Sequence, residues 1–219
     1  MQDKGNFAAF FQEATGSIPY PWQARLATGD DLSGLIRVPT GLGKTAAVVL
    51  AWFWHRRIKP ENTPRRLVYC LPMRALVEQT ARSVKSWVSN LNLDTDVHVL
   101  LGGNVDRGWD EFPEKEAILV GTQDMLLSRA LNRGYAESRF RWPIQFGLIN
   151  TDSFWVLDEV QLMGAGLPTS LQLQAFREKL GTDLPSWSVW MSATLDPSWM
   201  KTVDFSTEKL SLLEPGDDD

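Results

Sequence analysis

Apolar positions along this chain gather in short unbroken runs, with longer stretches of mixed apolar and polar residues between them. The runs "GLIRV" (34–38), "RLVYCL" (66–71), "DVHVLL" (96–101), "EAILVG" (116–121), "SFWVLD" (153–158) and "WSVWMSA" (187–193) have the length and composition of strands. Between them, "KTAAVVLAWFWHRRI" (44–58), "MRALVEQTARSVKSWVSNL" (73–91), "TQDMLLSRAL" (122–131) and "LPTSLQLQAFREKL" (167–180) read as helices. Strands alternating with helices predict right-handed crossovers and an α/β domain, a mainly parallel sheet with helices on both faces. Ligands of such sheets sit beyond the carboxyl ends of the strands. The functional question is therefore which polar residues gather at those ends.

Composition narrows the class without choosing a function. With 219 residues and 43% hydrophobic content the chain can bury a sizeable core. It shows no internal repeat, and only the acidic end "EPGDDD" reads as a solvated tail. A single cysteine, Cys70, excludes an internal disulfide framework and leaves too little for a cysteine metal site, which suits a reducing compartment and a cytoplasmic location. The N-terminus lacks signal architecture and no apolar run approaches the roughly 20 residues that span a bilayer, so no membrane role is expected. A net charge of −5 supplies no global field for nucleic acid, and a polyanion would have to meet a local patch or backbone donors. Most of the ten tryptophans are expected in the core, with a stacking role open to a few.

Chemistry enters with "RVPTGLGKT" (37–45), which follows a predicted strand and opens a predicted helix. Thr40, Gly41 and Gly43 form a turn whose backbone N–H groups can face phosphate oxygens, with the helix N-terminus adding its positive end. Lys44 would reach the β- and γ-phosphates and the Thr45 hydroxyl would ligate magnesium. The pattern G-x-x-x-x-G-K-[ST] is not complete, because Val38 occupies its first glycine, and a plain strand-to-helix turn is the competing reading. "SFWVLDEVQLMG" weighs against that reading by placing Asp158 and Glu159 at the carboxyl end of a buried strand. Asp158 would hold the metal, and Glu159 would orient the water that attacks the γ-phosphate.

In that order, "PTGLGKT", "LDEVQ" and "MSATLD" resemble motifs I, II and III of the superfamily-two helicases, whose first RecA-like lobe is similar in length to this chain. The resemblance implies a RecA-like P-loop lobe over 31–205, preceded by a segment 1–30 whose "PYPWQ" is similar to the family's Q motif, and followed by a tail 206–219. It implies that Gln23 reads the adenine edge, with Tyr20 or Trp22 packing nearby, and that ATP and Mg2+ are the cofactors. "LPMRALVEQT", "LLGGN" and "VGTQDMLLSRAL" resemble motifs Ia to Ic, which puts Arg74, Gly102, Gly103, Thr122 and Gln123 at strand-to-helix turns as contacts for a strand's phosphates. Gln161, Ser192 and Thr194, in motifs II and III, would couple the nucleotide to that strand.

"LDEVQLMG" with "MSATLD" looks most like the CRISPR-associated helicase-nuclease of type I systems. That likeness implies single-stranded DNA, a nuclease domain and an RNA-guided surveillance complex as partners. The nuclease's His-Asp metal centre has no counterpart here, since neither His55 nor His98 is followed by Asp, so a nuclease is expected C-terminal or on a separate protein. Motifs IV to VI are also missing, which implies a second RecA-like lobe elsewhere. If this chain carried its own arginine finger, Arg129, Arg133, Arg139 and Arg141 would be the first places to look. Two other readings stand beside this one: an RNA-remodelling ATPase on the same fold, and a non-catalytic docking module.

Overall fold

The computed structural model describes residues 6–30, 32, 34–106, 108–194, 196–206 and 210–216. Asp217–Asp219 of the expected acidic tail and Leu195 of "MSATLD" lie outside them. The six expected strands are present as β1 (Gly34–Arg37), β2 (Arg66–Leu71), β3 (Asp96–Leu101), β5 (Ala117–Thr122), β6 (Ser153–Asp158) and β7 (Ser186–Ser192). Two short strands join them, β4 (Asn104–Val105) and β8 (Leu212–Leu213). The sheet order is β4-β3-β5-β2-β6-β7-β1-β8; every pairing is parallel except that of β4 with β3.

Helices α3 (Lys44–Ile58), α4 (Arg74–Asn90), α5 (Gln123–Ala130) and α7 (Gly166–Leu180) lie where the sequence pattern places them. The crossovers from β1 through α3 to β2 and from β2 through α4 to β3 run toward one side of the sheet, whereas those through α5 and α7 run back. Right-handed crossovers in opposite directions cover opposite faces. Alternating strand residues divide accordingly: Leu67, Tyr69 and Leu71 of β2 pack with α3 and α4, while Val68 and Cys70 pack with α5 and α7. Double coverage explains why β2, β5 and β6 are buried at every residue, whereas β3, nearer the edge, is exposed at its start.

Among the described residues, three α-helices add to the expected set. In α1 (Phe7–Thr15), Asn6 caps the start by accepting from the Ala8 N–H at 3.0 Å, and Phe7, Phe10, Phe11 and Ala14 form one buried stripe. Phe7 and Phe10 stand against Trp54 of α3, with ring centroids 5.8 and 5.5 Å away. Helix α2 (Pro21–Thr28) starts with proline at its first position, and α6 (Trp142–Asn150) closes the gap before β6. Residues 6–30 thus pack into the same core as α3, and part of the stretch expected to be a tail is sheet: Leu212 and Leu213 of β8 pair with Leu35 and Ile36. Of the tryptophans, Trp22, Trp52, Trp155 and Trp190 are among the most completely buried side chains, while Trp199 is exposed. Among the described residues no helix is long and apolar enough to cross a membrane.

Candidate nucleotide-binding site

Loop 38–43 leaves β1 and enters α3 through two glycines in the left-handed region, Gly41 at φ 91° and Gly43 at φ 70°. Gly43 is the cap residue of α3; its dihedral favours glycine, and a Cβ there would lie 2.7 Å from Gln23 Nε2 and displace that amide. Gln23 is 1% exposed; its Nε2 donates to Gly43 O (3.1 Å) and Leu42 O (3.3 Å), and its Oε1 accepts from the Tyr20 N–H (2.9 Å). The side chain expected to read adenine here fastens α2 to the phosphate loop, with both ends of its amide on backbone partners.

A cavity of about 340 Å³ opens at the N-terminus of α3, lined by Thr40, Gly41, Gly43, Lys44 and Thr45 on one side and by Asp158 and Glu159 on the other. Leu71, Leu76, Gln79 and Thr80 complete its wall. Lys44 Nζ is 3.3 Å from Glu159 Oε1. Asp158, 5% exposed, accepts from the Glu159 N–H at 2.9 Å and from the Tyr69 hydroxyl at 2.7 Å. Tyr69 OH also lies 3.2 Å from Thr45 Oγ1. Burial, only partly offset by Tyr69 and Lys44, raises the Asp158 carboxyl above its ordinary range, and burial pushes the Tyr69 phenol up as well. A fully buried tyrosine in a strand reads as core; nothing in the sequence marks its hydroxyl as the bridge between two polar groups of the site.

Glu159 is held in the left-handed conformation at φ 55°, where a non-glycine residue is strained, and it turns the chain straight from β6 into the one-turn 3-10 helix Val160–Leu162. That turn carries Gln161 back toward the acid, and Gln161 Nε2 donates to Glu159 Oε2 at 2.6 Å. Gln161 Oε1 accepts from Ser192 Oγ at 2.6 Å, and Ser192 Oγ accepts from the Thr194 N–H at 3.0 Å. A chain of hydrogen bonds thus runs from the end of β7 to Lys44, with Thr194 joining through its backbone. Strand order makes it possible: β7 lies between β1 and β6, with Ser192 beside Arg37 and Met191 beside Asp158. The chemistry of this donor set fits magnesium, which takes one or two carboxylates and fills its shell with phosphate oxygens and water; Asp158 and Thr45 supply one carboxylate and one hydroxyl.

Of the residues expected to meet a strand's phosphates, all but Gly103 line two adjoining cavities. Arg74 donates to Gly102 O at 2.9 Å and, with Gly102 and Thr122, lines a second cavity of about 440 Å³. Gln123 lines a third, of about 600 Å³. Gly102 and Gly103 are not at a strand-to-helix turn; they form the two-residue turn of the β3–β4 hairpin, since Leu101 pairs with Asn104. Gly103 lines neither cavity. None of Arg129, Arg133, Arg139 or Arg141 lines the cavity at Lys44, and Arg129 is buried on the carbonyls of Met125 and Tyr135.

The fold is shared with solved helicase structures of low sequence identity. The helicase MrfA bound to DNA is 15% identical with a TM-score of 0.69, over 98% of this chain and 30% of that one. Mss116p bound to ssRNA and AMP-PNP is 19% identical with a TM-score of 0.62, over 95% and 43%. The yeast DEAD-box splicing factor Prp28 is 19% identical with a TM-score of 0.63, over 96% and 48%. The chain thus spans less than half the length of each of these relatives. No curated protein matches its sequence. The description of the DEAD/DEAH box helicases matches residues 22–203, a stretch that holds the phosphate loop, the acidic pair and the strand between them, and the chain belongs to that family.

Proposed function

We propose that this chain is the ATP-binding first lobe of a DNA helicase or translocase and works with a second RecA-like lobe. The observation that carries the reading is the convergence of Lys44, Thr45, Asp158 and Glu159 on one cavity at a helix N-terminus. Lys44 would leave Glu159 for the β- and γ-phosphates, which exchanges one carboxylate partner for a more highly charged one. The exchange frees the Glu159 carboxylate to orient a water and take its proton, while Gln161 keeps the acid pointed into the cavity. Thr45 and Asp158 would hold Mg2+, whose charge neutralises the phosphate oxygens. The Gln161–Ser192 bond offers a route by which the state of Glu159 reaches the end of β7.

The finer assignment, to the CRISPR-associated helicase that feeds target DNA to a nuclease and is directed by an RNA-guided complex, is supported by "LDEVQLMG" and "MSATLD". An RNA-remodelling role is the second reading, favoured by the likeness to Mss116p bound to ssRNA. A docking module without catalysis has no such support, because the loop and the acidic pair are both intact. The test joins residues 1–219 to the second lobe and compares ATP hydrolysis with single-stranded DNA and with RNA. Stimulation by DNA is expected; stimulation by RNA alone moves the assignment, and no ATP binding by wild type at millimolar nucleotide sinks it.

A further inference from the structure

Residues 131–141, between α5 and α6, take no part in the nucleotide site, yet their backbone is tied down. The Arg133 N–H donates to Ser128 O at 2.7 Å, and the Tyr135 N–H to Ser128 Oγ at 3.3 Å. Tyr135 O accepts from the buried Arg129 at 3.2 Å. Beyond it, Glu137 O accepts from Trp142 Nε1 at 3.1 Å, and Arg141 pairs with Asp110. On this fixed backbone the Tyr135 side chain stands in water, 62% exposed. An aromatic held out by a restrained backbone loses little entropy on receiving a partner.

Its position defines the partner. Tyr135 and Asp124 line both the 440 Å³ and the 600 Å³ cavities, so the two adjoin as one groove with Tyr135 on their common wall. Donors line each cavity, Arg74 and Thr122 the first and Arg133 and Thr169 the second. Arg133 is exposed and forms no ion pair among the described residues. The Asp124 carboxylate repels phosphate from the middle of the groove. A cation in each cavity, with an acid and an exposed aromatic residue shared by the two, suits a strand whose phosphates keep to the cations and whose base turns inward.

We propose that Tyr135 is a stacking platform for one base of a single-stranded nucleic acid lying in this groove. The proposal rests on the nucleic-acid reading above and adds to it a contact with a base where only backbone contacts were expected. Stacking on a tyrosine reads no sequence, because every base has a π-face.

The test uses residues 1–219 at low ionic strength and oligonucleotides, DNA in one arm and RNA in the other, with 2-aminopurine moved base by base along the strand. Wild type should quench the label at one position. Tyr135→Ala should weaken binding roughly tenfold and abolish that quench, with the salt dependence unchanged, whereas Tyr135→Phe should retain both. Arg133→Ala should keep the quench and reduce the salt slope by about one. Unchanged affinity and quenching in a folded Tyr135→Ala variant would overturn the platform and leave the nucleic-acid reading standing. Failure of wild type to bind either strand would overturn both.

Discussion

The two ends of the sheet both bury charge, and they treat it in opposite ways. At the amino ends of the strands, Arg66 is 4% exposed and donates to the carbonyls of Leu148, Pro113 and Thr151 while facing Asp152 at 3.6 Å. Asp152 in turn accepts from the Arg65 N–H at 2.8 Å. Arg56 pairs with Glu116 at 2.8 Å and donates to Thr63 O at 2.9 Å. At the carboxyl ends, Lys44 makes one long contact with Glu159, and Asp158 sits buried with its pKa raised. Saturated charges hold a fold together, whereas a cation with one long contact and a buried carboxylate with no cation bonded to it among the described residues are poised to take a ligand.

The sharpest break of that contrast comes from removing one partner at each end. Asp152→Ala should cost about 3–5 kcal/mol, because it strands a buried guanidinium and orphans a backbone N–H. Urea denaturation measures it, and a loss below about 1 kcal/mol would show that the carbonyls suffice for Arg66. Lys44→Ala should leave stability within about 1 kcal/mol but weaken ATP by about 10- to 100-fold, the worth of a charged hydrogen bond to phosphate. Calorimetric titration decides, and unchanged affinity in the folded variant removes the phosphate role from loop 38–43.

Two smaller effects sharpen the comparison. Tyr69→Phe removes the hydroxyl that fixes Asp158 beside Thr45, and the Mg2+ concentration needed for half-maximal nucleotide binding should rise about tenfold. Binding measured in EDTA should not change, and an equal loss with and without metal would make Tyr69 a packing residue only. Smallest is Arg177→Met. Arg177 is buried against the Trp155 ring and is bonded to Asn150 rather than to a carboxylate, and burial pushes its pKa down to about 9. A well-packed apolar residue of similar length should be neutral or slightly stabilising, within about 1 kcal/mol in thermal unfolding. A larger loss would mean that the guanidinium itself is needed there.

What the sequence made legible follows from how local each feature is. The turn at Gly41 and Gly43 and the acids ending β6 are written in consecutive residues, and the structure brings them together at one cavity. Strand order is not written locally, so the interposition of β7, which lets Ser192 reach Gln161, could not be foreseen. Gln23 is beside the loop as its motif implies, but an amide can point either way, and only the fold shows it turned onto Leu42 and Gly43. The Gly102–Gly103 hairpin is not legible, because β4, two residues long, is too short to register as an apolar run. Helix α1 did carry a readable stripe at positions 7, 10, 11 and 14.

The place of β7 also acts as a ruler. Adjacent strands stand about 4.8 Å apart, so one strand inserted between β1 and β6 sets the strands that lead to the phosphate loop and to the acidic pair at roughly 9.6 Å, a gap fixed by backbone hydrogen bonds and not adjustable by repacking. Two short side chains reaching out from such strands fall well short of each other. A lysine and a glutamate, with their long stems, close the span from opposite banks, while Ser192 rises from the middle strand to meet Gln161, which reaches over from the turn after β6. Side-chain length at these four positions is thus dictated by the weave of the sheet as much as by the chemistry of phosphate.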